Sequence, residues 1–136
     1  QQIKDALEMA CRYYPEESGS FMHVSGISYV IHSSIPSSVV TDDKGSFLRV
    51  DGEYRVSDIL VNGEALDLGR TYTLASHNYM LKAGGDGMSM FKNSEIIRDE
   101  VMTDVDVLSA YISRLSDETV GEEYADPTGQ GRIQIQ

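Results

Sequence analysis

The stretch Tyr54-Arg55-Val56-Ser57-Asp58-Ile59-Leu60-Val61-Asn62-Gly63-Glu64-Ala65-Leu66-Asp67-Leu68 carries the clearest structural instruction in the chain. Tyr54, Val56, Ile59 and Val61 mark an extended run rich in residues suited to strands. Asn62-Gly63 then supplies the dipeptide that a two-residue type I′ turn demands, because both central residues need positive φ. Glu64 to Leu68 is the predicted returning strand. A hairpin therefore lies near the middle of the sequence.

Working outward from it, Tyr72 and Leu74 predict another strand, and residues 77–83 a short helix. Upstream, Phe47, Leu48 and Val50 predict a short strand between turns at 42–45 and 51–52. Ile27, Tyr29 and Ile31 alternate with Ser28, Val30 and His32, the pattern of a strand with one well-buried face. Phe21 to Val24 is read as an extended lead-in, with Gly26 as a bulge. Residues 33–38, which include Pro36, form a predicted loop. Ile3, Ala6, Leu7 and Ala10 recur at helical spacing, so residues 2–13 are a predicted amphipathic helix ended by Pro15 and Gly19. Thr103 with Asp106 resembles a capping box. Val105, Leu108, Ile112 and Leu115 then place a helix over 104–115. Residues 116–131 are a predicted surface loop, and Arg132 to Ile135 a closing strand. Strands in the middle with helices at the ends imply an α+β fold, with mixed or antiparallel sheets covered by a few helices.

Composition bounds the function. The chain of 136 residues has the length of one domain, taken as 1–136. Its net charge is −11, from 22 acidic against 11 basic residues. That field disfavours nucleic-acid polymers and anionic membranes, and repels a phosphate unless a metal or a separate basic site holds it. No apolar run is long enough for a transmembrane helix. Cys11 is the single cysteine, so an internal disulfide and a thiolate metal cage are excluded, and packing on a helix is its expected role. The chain opens at Gln1 directly into helical periodicity, which reads as a fragment of a longer protein.

Few motifs carry chemistry. His23, His32 and His77 show no zinc spacing and read as structural or surface residues. Asp99, Glu100, Asp104 and Asp106 lack the pattern of a calcium loop and suit a helix N-terminus. No serine sits in a nucleophile elbow. Gly84-Gly85-Asp86-Gly87 is the remaining candidate. Its glycines let the backbone bend and a ligand approach, but it lacks the lysine of a phosphate-cradling loop. By itself it reads as a tight turn with a solvated Asp, or as a hydroxyl clamp. Tyr79 just upstream is either a core aromatic of the short helix or a stacking surface, and Met88, Met90 and Phe91 after the loop are predicted core residues of an extended segment.

Several segments together resemble one family. Phe21-Met22-His23-Val24-Ser25-Gly26-Ile27-Ser28-Tyr29 resembles a characteristic strand of the 5′-nucleotidase C-terminal domain. Val61 to Asp67, followed by Tyr72-Thr73-Leu74-Ala75, is similar to its hairpin and next strand. Asn78-Tyr79 through Gly84-Gly85-Asp86-Gly87 resembles its substrate-binding loop, and Gly131-Arg132-Ile133 its end. The resemblance covers nearly all of the chain. It implies a 5′-nucleotidase C-terminal domain-like fold, truncated at the N-terminus, from a secreted, periplasmic or cell-surface phosphohydrolase of nucleotide catabolism. In that family an N-terminal catalytic domain of the same chain holds two divalent metals, and the C-terminal domain binds the nucleoside or nucleotide substrate. The implied substrate-binding residues are Asn78, Tyr79, Gly84, Gly85, Asp86 and Gly87. Asp86 would accept from the ribose hydroxyls, and Tyr79 would stack on the base. The tyrosine lies one residue further from the glycine pair than the family spacing, which leaves Met80 as the alternative. Met88 stands where an aromatic is usual. No catalytic residue and no metal ligand is expected in this stretch, which alone should be inactive. The alternative reading is a non-catalytic binding or interaction module of the same fold.

Overall fold

The computed structural model describes residues 1–126 and 129–136. Its elements run α1 (Gln2–Ala10), β1 (Ile27–Ile31), β2 (Val39–Thr41), β3 (Phe47–Val50), β4 (Val56–Val61), β5 (Glu64–Ala65), α2 (Asn78–Leu81), α3 (Asp104–Ile112) and β6 (Ile133–Ile135). The main sheet has the order β5-β4-β1-β6, and β2 pairs with β3 in a separate hairpin. β1 is antiparallel to β4 and parallel to β6, so the sheet is mixed as expected.

The hairpin forms as the Asn-Gly pair dictates, with Asn62 at φ 51° and Gly63 at φ 83°. Its returning strand is shorter than the predicted Glu64–Leu68 and spans only Glu64–Ala65. Leu66 N–H adds one further bond, to Ile59 O at 2.9 Å. Between Ser28 and Val30 the β1–β4 register slips by one residue, and Asp58 in the bulged strand takes φ 48°. Tyr29, Val30 and Ile31 are all buried, so β1 has two covered faces at its end rather than one. Tyr29 and Ile31 pack in one cluster with Leu7 and Cys11.

Three predicted segments differ. Residues 71–76 form no strand, because the turn held by Arg70 N–H to Asp67 O leads the chain off the sheet edge. The residues after the glycine loop are a 3₁₀ turn, Ser89–Phe91, rather than an extended piece, although Met88 and Phe91 are buried core residues. The lead-in at 21–24 is irregular, so His23 lies outside any strand and His32 just past one. Of the predicted loop 116–131, residues 127–128 lie outside the described residues. α3 is capped as expected: Thr103 Oγ1 accepts from Asp106 N–H at 3.2 Å and donates to Asp106 Oδ2 at 2.7 Å. None of its residues is buried, and Val105, Val107 and Leu108 are exposed.

α1 organises the core. Leu7 and Cys11 pack with Tyr29, Ile31, Val56 and Ile59 on one side. Ala6, Met9 and Ala10 pack with Met88 and Phe91 on another. The helix ends earlier than the predicted residue 13, at Ala10. Its last carbonyls are taken by arginines: Arg12 Nη1 donates to Met9 O at 2.7 Å, and Arg55 Nη1 to Cys11 O at 3.0 Å. Cys11 has the packing role expected of it. Burial beside the Tyr29 hydroxyl, at 3.8 Å, accompanies a thiol pushed up to about 11. Such a group stays protonated and unreactive at neutral pH.

Glu8 is fully buried on the same helix. Its carboxylate accepts from Arg55 N–H at 3.0 and 2.8 Å, and from Val56 N–H at 3.0 Å. These amides open β4 and have no sheet partner of their own on that side. Glu8→Ala orphans both, at a cost of about 2–5 kcal/mol in a urea titration. Glu8→Gln should cost less, since the amide oxygen still accepts. Burial raises the Glu8 carboxyl above its ordinary 4.5, outweighing the amide bonds that lower it. The native state thus holds this proton more tightly than the unfolded chain. The contribution of Glu8 to stability is greatest below the unfolded value and falls as pH rises through the native one. The wild-type minus Glu8→Gln difference in unfolding free energy should slope downward there; a flat difference would contradict it.

Candidate functional site

The glycine loop owes its shape to close approaches from neighbouring elements. Gly84, Asp86 and Gly87 all take positive φ, at 69°, 54° and 82°. Gly87 faces the Met9 methyl and the Gly45 carbonyl, and a Cβ there would overlap both. Gly85 is buried beneath the Tyr79 ring, which occupies the place its side chain would need. Met88 N–H closes the turn on Gly85 O at 3.1 Å. Lys82, just after α2, pairs with Asp99 at 2.6 Å, which raises the lysine and lowers the carboxyl from their ordinary values.

Asp86 points the loop toward a groove of about 600 Å³. Ile3, Ala6 and Leu7 of α1 line it at one side. Residues 19–27 and 72–77 supply two further walls, joined by Met80, Phe91 and the hairpin residues Val61 and Asn62. Neither long wall is stitched to a neighbour: among the described residues, the backbones of Met22–Ser25 and Tyr72–Ser76 make no hydrogen bond. They present free donors and acceptors beside apolar surface from Phe21, Met22 and Leu74. The groove has the size of a small-molecule site. Among the described residues, Asp86 is the one carboxylate in its lining, and no lysine or arginine lines it.

The sequence-chosen residues separate here. Asp86 lines the groove, whereas Asn78, Tyr79, Gly84, Gly85 and Gly87 do not. Tyr79 lies over Gly85 with 57% of its surface exposed, and Met80 is the residue of that pair that faces the groove. His77, Phe91 and the 21–27 wall were absent from the sequence-based set. His77 is adjacent to Asn78 in sequence, but nothing in spacing places Phe21 or Leu7 beside Asp86. Among the described residues, no group of three or more His, Cys, Asp or Glu is assembled for a metal. No helix among the described residues is long and apolar enough to cross a membrane.

Comparison with known proteins gives a concordant result. Residues 1–93 match the family model described as the C-terminal domain of 5′-nucleotidase. A curated relative, the 5′-nucleotidase of Diplobatis ommata, is 29% identical over 133 residues, covering 96% of this chain and 20% of its own length. A crystal structure from Staphylococcus aureus, of a protein assigned as a 5′-nucleotidase in complex with alpha-ketoglutarate, superposes with a TM-score of 0.66 at 20% identity. That superposition covers 98% of this chain and 25% of the other, and it establishes similarity of fold. The chain therefore spans about a fifth to a quarter of the proteins it matches.

The loop geometry yields its own test. Gly87→Ala combines a strained positive φ with a clash against the Gly45 carbonyl, a backbone atom that cannot rotate away. It should cost about 2 kcal/mol or more in thermal or urea unfolding. Gly63→Ala meets open space and bears only the φ penalty, so it should cost less.

Proposed function

The chain belongs to the 5′-nucleotidase C-terminal domain family, and from that premise we propose that it is the nucleoside-recognition part of a two-domain nucleotide phosphohydrolase. The observation that carries the reading is the charge of the groove: among the described residues one carboxylate, Asp86, and no lysine or arginine, in walls that mix apolar side chains with His23, His77 and hydroxyl groups. Such a lining suits the uncharged end of a nucleotide. Ribose hydroxyls donate to the Asp86 carboxylate, and the base lies against apolar side chains. A phosphate finds no lysine or arginine in the groove and is repelled by a net charge of −11.

The phosphate is therefore held elsewhere, by the N-terminal catalytic domain of the same polypeptide and its two divalent metals. Metals would polarise the phosphoryl group and activate water there; this chain's residues bind and orient the nucleoside. Met80 is the groove-side contact for the base in this reading, and Tyr79 packs the glycine loop that presents Asp86. A secreted, periplasmic or cell-surface location belongs to the same proposal, as does nucleotide catabolism.

In the full-length enzyme, Asp86→Ala should raise KM for ribonucleotides about tenfold or more, the loss of a hydrogen bond to a charged group. It should also erase discrimination between ribo- and deoxyribonucleotides. An unchanged KM removes Asp86 from the site. Met80→Ala should raise KM more than Tyr79→Ala; the reverse order would return the base contact to the tyrosine. The 136-residue chain alone should show no metal-dependent phosphatase turnover, and measurable turnover would sink the division of labour.

A further inference from the structure

We infer that Asn62-Gly63 is a site of spontaneous covalent modification, at which the hairpin tip loses ammonia and gains a carboxylate. Both residues are exposed. Among the described residues, no hydrogen bond engages the Asn62 side-chain amide or the Gly63 backbone N–H. Neither the nucleophile nor the electrophile of the reaction is tied down. Gly63 has no side chain to shield its nitrogen, and open space lies where its Cβ would be.

The reaction balances with water alone. The deprotonated Gly63 nitrogen attacks Cγ of Asn62, a C–N bond forms, and the side-chain nitrogen leaves as ammonia. Water then opens the resulting cyclic imide at either carbonyl. One opening gives aspartate, and the other gives isoaspartate with the chain rerouted through the former side chain. The type I′ turn must swing locally before the nitrogen reaches Cγ. That opening is cheap here, because β5 is only Glu64–Ala65 and both of its residues are exposed.

The other asparagines are built differently. Asn93 is followed by Ser94, whose N–H is engaged by Phe91 O at 3.0 Å. Asn78 begins α2 and is followed by the bulky Tyr79. The products also differ in consequence. Asn62 N–H donates to Gly26 O at 2.8 Å, and its side-chain oxygen sits 3.1 Å from where a Gly26 Cβ would be. Aspartate keeps this tip and adds a second carboxylate to the groove lining. Isoaspartate lengthens the backbone within a two-residue turn and breaks its register.

The test is to age the folded 136-residue chain in mildly alkaline buffer, with a mildly acidic sample as reference. Peptide mapping by mass spectrometry then follows all three asparagines, alongside a urea-unfolded sample. The expected result is one added negative charge on anion exchange, coeluting in part with N62D, and conversion at Asn62 that outruns Asn78 and Asn93 in the folded chain. Isoaspartate should appear at Asn62. An Asn62 that stays intact in the folded chain while the unfolded sample converts overturns the inference, as does equal conversion at all three sites. These readouts need no substrate and stand whatever the nucleoside assays return.

Discussion

The structure depends on an exchange of polar groups between α1 and the start of β4. The Glu8 carboxylate receives the backbone amides of Arg55 and Val56, and the Arg55 guanidinium returns a bond to the Cys11 carbonyl. Both residues are buried, at 0% and 3% exposure. Burying a carboxylate is costly unless its oxygens are hydrogen-bonded, and Glu8 accepts three backbone bonds; the Arg55 guanidinium makes its bond through Nη1, while its buried Nε has no partner among the described residues. One residue thus caps a strand with its side chain while its partner caps a helix. The pair sets the angle and register at which α1 crosses the sheet, which apolar packing alone would leave less defined.

That crossing couples the core to the groove. The residues of α1 that do not face the sheet reach Met88 and Phe91, which follow the glycine loop. Gly87 is pressed onto Met9 of the same helix. Asp86 therefore inherits its position from α1 through packing on either side of it. A loop mounted in this way is held without a ladder of its own, and its positive-φ backbone is sustained by the elements around it.

Electrostatics sets what the groove can meet. An acidic domain whose groove, among the described residues, holds one carboxylate and no lysine or arginine favours hydroxyl donors and apolar faces over anions. The long walls at 22–25 and 72–76 add free backbone groups, which widen the range of polar edges the groove can meet. The exposed apolar residues of α3 lie outside this arrangement.

Much of this was legible in the residues themselves. The Asn62-Gly63 turn, the helical period of Ile3, Ala6, Leu7 and Ala10, and the Thr103 cap are local features. Each is decided by φ preference, side-chain spacing or a hydrogen bond a few residues away, so sequence by itself determined them, along with the mixed α+β character and the acidic field. The strand expected at Tyr72 and Leu74 failed because a strand needs a neighbouring edge, and no local pattern reports whether one is present. The same limit governs the site. Asp86 was visible as a carboxylate among glycines, but its company of Leu7, Phe21, Leu74 and Met80 spans most of the chain. Only the tertiary structure decided that Met80 rather than Tyr79 faces the groove, and that Glu8 is a buried cap rather than a surface acid. Both outcomes turn on which surface a helix presents to distant partners, a long-range packing choice that residue spacing leaves open.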